Sequence, residues 1–162
     1  MKRIGVISDT HLEKSNLFIK EIATRHFEDV DLIIHAGDLV SLDVLDTFSS
    51  LGKEVIAVCG NMDDPEVRRS YPATRIIIIE EVIIGIAHGW GSPSGIRHRI
   101  LESLPHVDAV IYGHSHQAFS GMEAGIFFFN PGSPADSRFT TNRSIGIIEV
   151  RGNSITGAIV IL

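Results

Sequence analysis

Ile4-Gly5-Val6-Ile7-Ser8-Asp9-Thr10-His11 sets the pattern that the rest of the chain repeats. A short β-rich run stops abruptly at a polar cluster. Residues 31–36 do the same and end at Gly37-Asp38. Residues 55–59 do it again and end at Gly60-Asn61. Two stretches of helical period separate these runs. In residues 15–27, Phe18, Ile22 and His26 form one stripe, with Ile19, Ala23 and Phe27 beside it. In residues 41–51, Leu42, Leu45 and Phe48 share a face, Ser41 suits the N-cap and Gly52 suits the stop. The order βαβαβ predicts a parallel sheet with crossover helices.

Beyond Asn61 the rhythm changes. Residues 75–80 and 82–87 are strand-like with almost no connection, which predicts a hairpin. Residues 94–103 have helical character, N-capped by Ser94 or by Ser92 ahead of Pro93. Residues 107–112, 126–129, 144–150 and 155–161 are further strands, the last two a hairpin across Arg151-Gly152-Asn153. These are more strands than one small twisted sheet holds. The expected fold is α/β (α+β), with two packed mixed β-sheets flanked by helices, in a single domain over residues 1–162. No internal repeat or low-complexity tract interrupts it.

Composition narrows the function. Hydrophobic residues make up 44% and charged residues 21%, which excludes a disordered chain or a coiled coil. Acidic residues outnumber Lys plus Arg by 20 to 14, giving −6. That balance argues against gripping a long nucleic acid or an anionic membrane. The single cysteine, Cys59, cannot close an intramolecular disulfide and suits a reducing compartment. The opening residues lack a signal-peptide pattern, and no apolar run is long enough to span a bilayer. A cytoplasmic protein with no membrane partner is expected.

The chemistry gathers where the apolar runs end. Asp9 and His11 follow the first, Asp38 the second, Asn61 the third, His88 the run at 82–87, and His114 and His116 the run at 107–112. Ligands bind at the carboxyl ends of strands in α/β sheets, so these residues can converge. Seven N and O donors exceed the needs of one ordinary metal. They suit two metals about 3.5–4 Å apart. Imidazole with carboxylate and no thiolate favours Mn, Fe, Zn, Ni or Co. Taken singly, each residue has a plainer reading. Asp9 and Asp38 could shape turns, Asn61 could be a left-handed residue beside Gly60, and the histidines could be ordinary loop residues. Taken together, the plain readings need seven coincidences.

The blocks Asp9-x-His11, Gly37-Asp38, Gly60-Asn61, His88-Gly89 and Gly113-His114-x-His116 resemble, in order, the calcineurin-like metallophosphoesterases. The short chain and Asn130-Pro131-Gly132-Ser133 resemble the compact phosphodiesterase subfamily, to which the retromer vacuolar-sorting subunit is related. The resemblance implies a four-layer α-β-β-α sandwich and a binuclear centre, most simply of Mn²⁺. It implies that Asp9, His11, Asp38 and His116 hold one metal. Asp38 would bridge to a second metal on Asn61, His88 and His114. A hydroxide bridging the metals would attack phosphorus in line, with Asp38, Asn61 and His88 positioning metals and phosphate. Larger members carry a histidine where this chain has Met62, which cannot exchange a proton. Activated aryl esters should therefore turn over better than alkyl esters.

The remaining residues carry weaker expectations. Asp63 and His35 would stand one step behind the ligands. Arg138 could stabilise a transferring phosphoryl group. The Arg97-His98-Arg99 cluster reads as a solvated helix face, Cys59 as a small buried hydrophobe, and Phe127-Phe128-Phe129 as a doubly buried strand. The reading is thus a hydrolase for small phosphoesters, with homodimerisation as a possible assembly. Its rivals are a non-catalytic interaction scaffold on the same fold and a hydrolase of nucleotides or dinucleoside polyphosphates.

Overall fold

Strand β1 (Lys2–Ile7) lies at the centre of one sheet. Strand β2 (Leu32–His35) pairs with it in parallel, and β3 (Glu54–Ala57) continues beyond β2, also in parallel. Helices α1 (Leu17–His26) and α2 (Asp43–Ser49) make the crossovers. On the other side of β1 runs β9 (Ser144–Arg151), antiparallel, with its hairpin partner β10 (Ser154–Ile161) at the edge. The computed structural model describes residues 1–135 and 142–162.

The second sheet also has five strands. Strands β4 (Thr74–Ile79) and β5 (Val82–Ala87) form the expected hairpin. Strands β6 (Ala109–Tyr112) and β8 (Ile126–Asn130) follow in parallel, and β7 (Phe119–Glu123) closes the far edge against β8. Two short helices complete the chain, α3 (Pro65–Ser70) and α4 (Ile96–Glu102).

Alternation along the strands makes the layers. Ile4, Val6, Ile34 and Ile56 from one sheet meet Ile84, Ile86, Ile111 and Phe129 from the other. On the outer side of the first sheet, Ile7 and Ile33 pack under Ile19, Ile22 and Phe48 of the helices. On the outer side of the second, Val110, Tyr112 and Phe128 pack under Ile96 and Ile100 of α4. The order is helix, sheet, sheet, helix, as expected. Phe127 and Phe129 face the inner core and Phe128 the outer one, so this strand is buried on both faces. The accessible surface of 7752 Å² is that of a well-packed chain of this size.

Helix ends follow local chemistry only in part. Asn16 caps α1, its Oδ1 accepting the Ile19 N–H at 3.0 Å, and Arg25 and His26 sit in the last turn where the dipole favours them. Ser41 stands one residue before the α2 cap, yet its Oγ still accepts the Asp43 N–H at 3.4 Å. Neither Ser92 nor Ser94 caps α4. The cap is Gly95, left-handed at φ 72°, and the carbonyls of Ser92 and Ser94 instead accept from Arg99. Two elements fall outside the expected list. Helix α3 has six residues and buries only Val67, so no periodicity announces it. Strand β7 is largely exposed and contains Gly121, and its alternation is too weak to read. No described helix is long and apolar enough to cross a membrane.

Candidate metal centre

The polar ends of β1, β2, β3, β5 and β6 meet along one border of the two sheets. Backbone bonds set their relative height. Asp9 N–H donates to the Gly37 carbonyl and His11 N–H to the Asp38 carbonyl, each at 3.0 Å. The Gly113 N–H donates to the His88 carbonyl at 3.1 Å.

The backbone here adopts a rare conformation. Eight described non-glycine residues have positive φ, and five of them are Asp9, His11, Asp38, His114 and His116. Such conformations cost of order 1 kcal/mol or more each and persist where surrounding contacts enforce them. Asp9 with His11 and His114 with His116 repeat the same two-residue step, and Asp9, His11 and His116 turn toward one another. Gly37, which precedes Asp38, is left-handed at φ 94°, whereas Gly60 and Gly113 do a different job. A Cβ on Gly60 would stand 2.8 Å from Asp38 Cγ, and one on Gly113 would stand 2.7 Å from Asp9 Oδ2. Neither glycine has a positive φ. Gly60 is small because Asp38 of the neighbouring strand end presses on it, and Gly113 because Ser8 and Asp9 of the facing sheet do.

Five side chains converge. Asp9 Oδ1 lies 3.2 Å from His116 Nε2 and 3.8 Å from the Nε2 atoms of both His11 and His88. Asp38 Oδ2 lies 3.1 Å from His88 Nε2 and 3.8 Å from His11 Nε2. The Nε2 atoms of His11 and His116 are 3.2 Å apart. Ligand atoms around a cation bound at about 2.1 Å sit roughly 3.0–3.5 Å from one another, a range that the three shorter separations meet. Two overlapping sets emerge, Asp9 with His11 and His116, and Asp9 with Asp38 and His88. The residue common to them is Asp9. Asp38 reaches toward one imidazole of each set. Asn61 and His114 form a pair of their own, with Asn61 Oδ1 and His114 Nδ1 at 2.9 Å.

The protonation pattern also suits a cation. His88 Nδ1–H donates to the Ala36 carbonyl at 2.8 Å, which turns the Nε2 lone pair of the neutral ring toward two carboxylates. Burial pushes His88 down, but Asp38 and Asp9 outweigh it and raise the imidazole to about 9. Burial likewise works against the Asp38 carboxylate. Its contacts with His88, the Met62 N–H and His11 prevail and hold it below the usual range. At His114, an Nε2–H donated to the Gly91 carbonyl at 2.8 Å leaves the Nδ1 lone pair directed at Asn61 Oδ1. Acceptors aimed at acceptors call for a positive charge between them.

Three further side chains brace the ends. Asp63 is buried, and its carboxylate accepts the N–H groups of Val40 and Gly60, each at 2.6 Å, and of Asp38 at 3.2 Å. It ties the Asp38 and Asn61 ends together. His35 is fully buried, and burial drives its imidazole down to about 3. Its Nδ1 accepts the Gly37 N–H at 3.2 Å, so its Nε2–H is free to donate to Thr10 Oγ1 at 3.1 Å. It joins the Asp9-His11 end to the Asp38 end. Asn130, named from the sequence only within the Asn130-Pro131-Gly132-Ser133 block, donates its Nδ2 to the Gly113 carbonyl at 2.9 Å and to Ser115 Oγ at 3.0 Å. It holds the turn that carries His114 and His116. Its burial beside a strand end is a tertiary fact with no local signal.

Other candidates stand elsewhere. Arg97 pairs with Glu123 at 2.7 Å and covers the Phe119 ring, and His98 faces Glu102 at 3.3 Å. Cys59 is half-buried rather than buried, and burial together with nearby Asp63 raises its thiol. Arg138 lies outside the described residues.

Comparison with known proteins agrees with this geometry. The family described as the calcineurin-like phosphoesterase superfamily domain matches residues 1–153. The chain is 37% identical to a probable metallophosphoesterase of Methanothermobacter thermautotrophicus, covering 97% of this chain and 91% of that protein. It is 31% identical to a phosphodiesterase of Methanocaldococcus jannaschii, covering 80% and 82%. Among solved structures, one described as a novel archaeal phosphodiesterase superposes with a TM-score of 0.75 at 26% identity, covering 98% of this chain and 99% of that one.

Proposed function

Because this chain belongs to the calcineurin-like phosphoesterase superfamily, we propose that it is a binuclear-metal phosphodiesterase acting on small phosphoesters. The observation that carries the reading is the convergence of three Nε2 atoms on Asp9 and Asp38 at 3.1–3.8 Å. Asp9, His11 and His116 would hold one cation. Asp38, His88, Asn61 and His114 would complete the second position, with Asp9 and Asp38 between the two. Mn²⁺ is the first choice, and Fe²⁺, Zn²⁺, Ni²⁺ and Co²⁺ share the same ligand preferences. Bound there, such cations supply a hydroxide nucleophile near neutral pH and a positive field for the phosphate.

The chain's own residues do the rest. Among the described residues Asp9 and Asp38 are the carboxylates in the centre, so two divalent cations leave a local charge of about +2. An anionic phosphoester is drawn in despite the overall −6. Asp63, His35 and Asn130 act through the ligands, by fixing the strand ends from which they project. Met62 is exposed and meets the centre through its backbone, whose N–H donates to Asp38 Oδ1 at 2.7 Å. Its side chain offers the leaving group no proton, which favours aryl over alkyl leaving groups. A cytoplasmic location suits the lone, half-buried Cys59. A homodimer would most simply use the exposed Ile76 and Ile78 of edge strand β4.

The test is turnover of bis(p-nitrophenyl) phosphate by purified protein with Mn²⁺, beside His88→Ala and Asp38→Asn. Metal-dependent turnover that both variants lose is expected, with two metals per chain after reconstitution. Turnover that ignores metal, or survives both substitutions, overturns the reading.

A further inference from the structure

A cavity of about 270 Å³ opens beside His88 and Asn61, and nothing in the proposed reaction uses it. Both sheets contribute to its wall, with Cys59 after β3, Thr74 and Ala87 at paired ends of β4 and β5, and Trp90 on the loop beyond β5. These side chains are small or apolar. The charged member is Arg68 of α3, whose guanidinium already donates to the Asp63 carbonyl at 2.8 Å and to the Asn61 carbonyl. Those bonds fix the cation at the edge of the cavity, next to the peptide of a candidate metal ligand.

Trp90 is the sole tryptophan of the chain and is 46% exposed. Tryptophan is on average more deeply buried than that. Its loop is nevertheless braced. Arg99 donates to the Trp90 carbonyl at 2.9 Å from Nη2 and at 3.2 Å from Nε, to the Ser94 carbonyl at 2.9 Å, and to the Ser92 carbonyl. The next residue, Gly91, faces His114 through its carbonyl. An indole is therefore presented to solvent on a fixed loop, at the rim of a small apolar cavity, two residues from His88. A planar ring stacked there would cover surface that the fold leaves uncovered.

We propose that this cavity is a subsite for a planar aromatic substituent of the phosphoester, an aryl ring or a nucleobase, with Trp90 as its stacking partner. The assignment deepens the phosphoesterase reading and rests on it. The volume lies just below the usual range for sites that hold drug-sized ligands, about 300–1,000 Å³, so it suits one or two fused rings and no more. Arg68 adds a cation at the ring edge or at a nearby phosphate oxygen.

Because Trp90 is the sole tryptophan, its emission reports occupancy directly. Mn²⁺-loaded protein is titrated with 5′-AMP, phenyl phosphate, ribose 5-phosphate and inorganic phosphate. Saturable quenching by AMP or phenyl phosphate is expected, with emission unchanged by the two non-aromatic phosphates. The tighter of the two aromatic ligands identifies the ring class. In steady state, Trp90→Ala is expected to raise KM for bis(p-nitrophenyl) phosphate about tenfold with a smaller effect on kcat, and Trp90→Phe to restore most of it. Equal quenching by ribose 5-phosphate, or an unchanged KM in Trp90→Ala, overturns the subsite. Quenching by AMP in a protein without metal-dependent turnover would overturn the phosphoesterase reading and leave the subsite standing.

Discussion

The two sheets contribute different chemistry to the same centre. The ends of β1, β2 and β3 bring both carboxylates, one imidazole and an amide, whereas the ends of β5 and β6 bring three imidazoles and no fixed charge. They are also braced differently. Ionisable groups, Asp63 and His35, hold the first set from behind. On the second side a neutral amide, Asn130, holds the His114-His116 turn. The first sheet thus brings the fixed negative charge of the centre, while His88 of the second, raised to about 9, shares in how it responds to pH. The second completes its shape.

That division can be broken most visibly by removing charge. Asp38→Asn should lower kcat for bis(p-nitrophenyl) phosphate by about 10³-fold or more, and His114→Ala, half-buried and paired with Asn61, by about 10²-fold. Equal losses in steady-state assays would erase the distinction between the sheets. A smaller effect tests the seam where they touch. Gly113→Ala drives a methyl group into Ser8 and Asp9 and should cost about 1–3 kcal/mol in urea unfolding. Gly125→Ala, in open space but left-handed at φ 82°, should cost about 1 kcal/mol and leave turnover intact.

The bracing groups sharpen the comparison further. Asp63→Asn leaves one acceptor oxygen for three backbone donors, and should weaken metal binding about 10–100-fold by calorimetry. Retained affinity would mean that the Asp38 and Asn61 ends hold themselves. The smallest effect is a pH slope. His35 titrates at about 3 in the fold against 6.5 when exposed, so the unfolded chain binds the extra proton first. Its contribution to stability is fully present above pH 6.5 and is lost as pH falls toward 3. The slope is at most about 1.4 kcal/mol per pH unit. Metal-free His35→Gln, followed by urea unfolding between pH 7 and 4, should flatten that part of the curve. An unchanged slope would assign it to other groups.

Much of this was legible because each ligand directly follows an apolar run, and such runs become strands whose ends align. The βαβαβ order, the hairpins and the seven candidate ligands all rest on that local pattern. The rest depends on contacts between distant residues. Nothing near Asn130 predicts that its amide reaches the Gly113 carbonyl, and nothing near Trp90 predicts a cavity shared with Cys59 and Thr74. Helix α3 and strand β7 are too short and too exposed for their periods to stand out. The close approach is likewise visible at Gly60 only once neighbouring strands are paired, and at Gly113 only once the two sheets are packed.

The left-handed residues of the centre also bear on how such a protein changes over generations. Asp9, His11, Asp38, His114 and His116 each hold a backbone that glycine adopts at no steric cost. Side chains stand there in spite of that cost. In a descendant no longer selected for turnover, glycine or asparagine at the partly exposed His11 and His114 would relieve part of that strain. Glycine at the buried Asp9 and Asp38 would also leave the N–H groups of His114 and Met62 without the acceptors they have. Such a lineage would lose its ligands one by one while its sandwich persisted, free to be recruited for its surface alone.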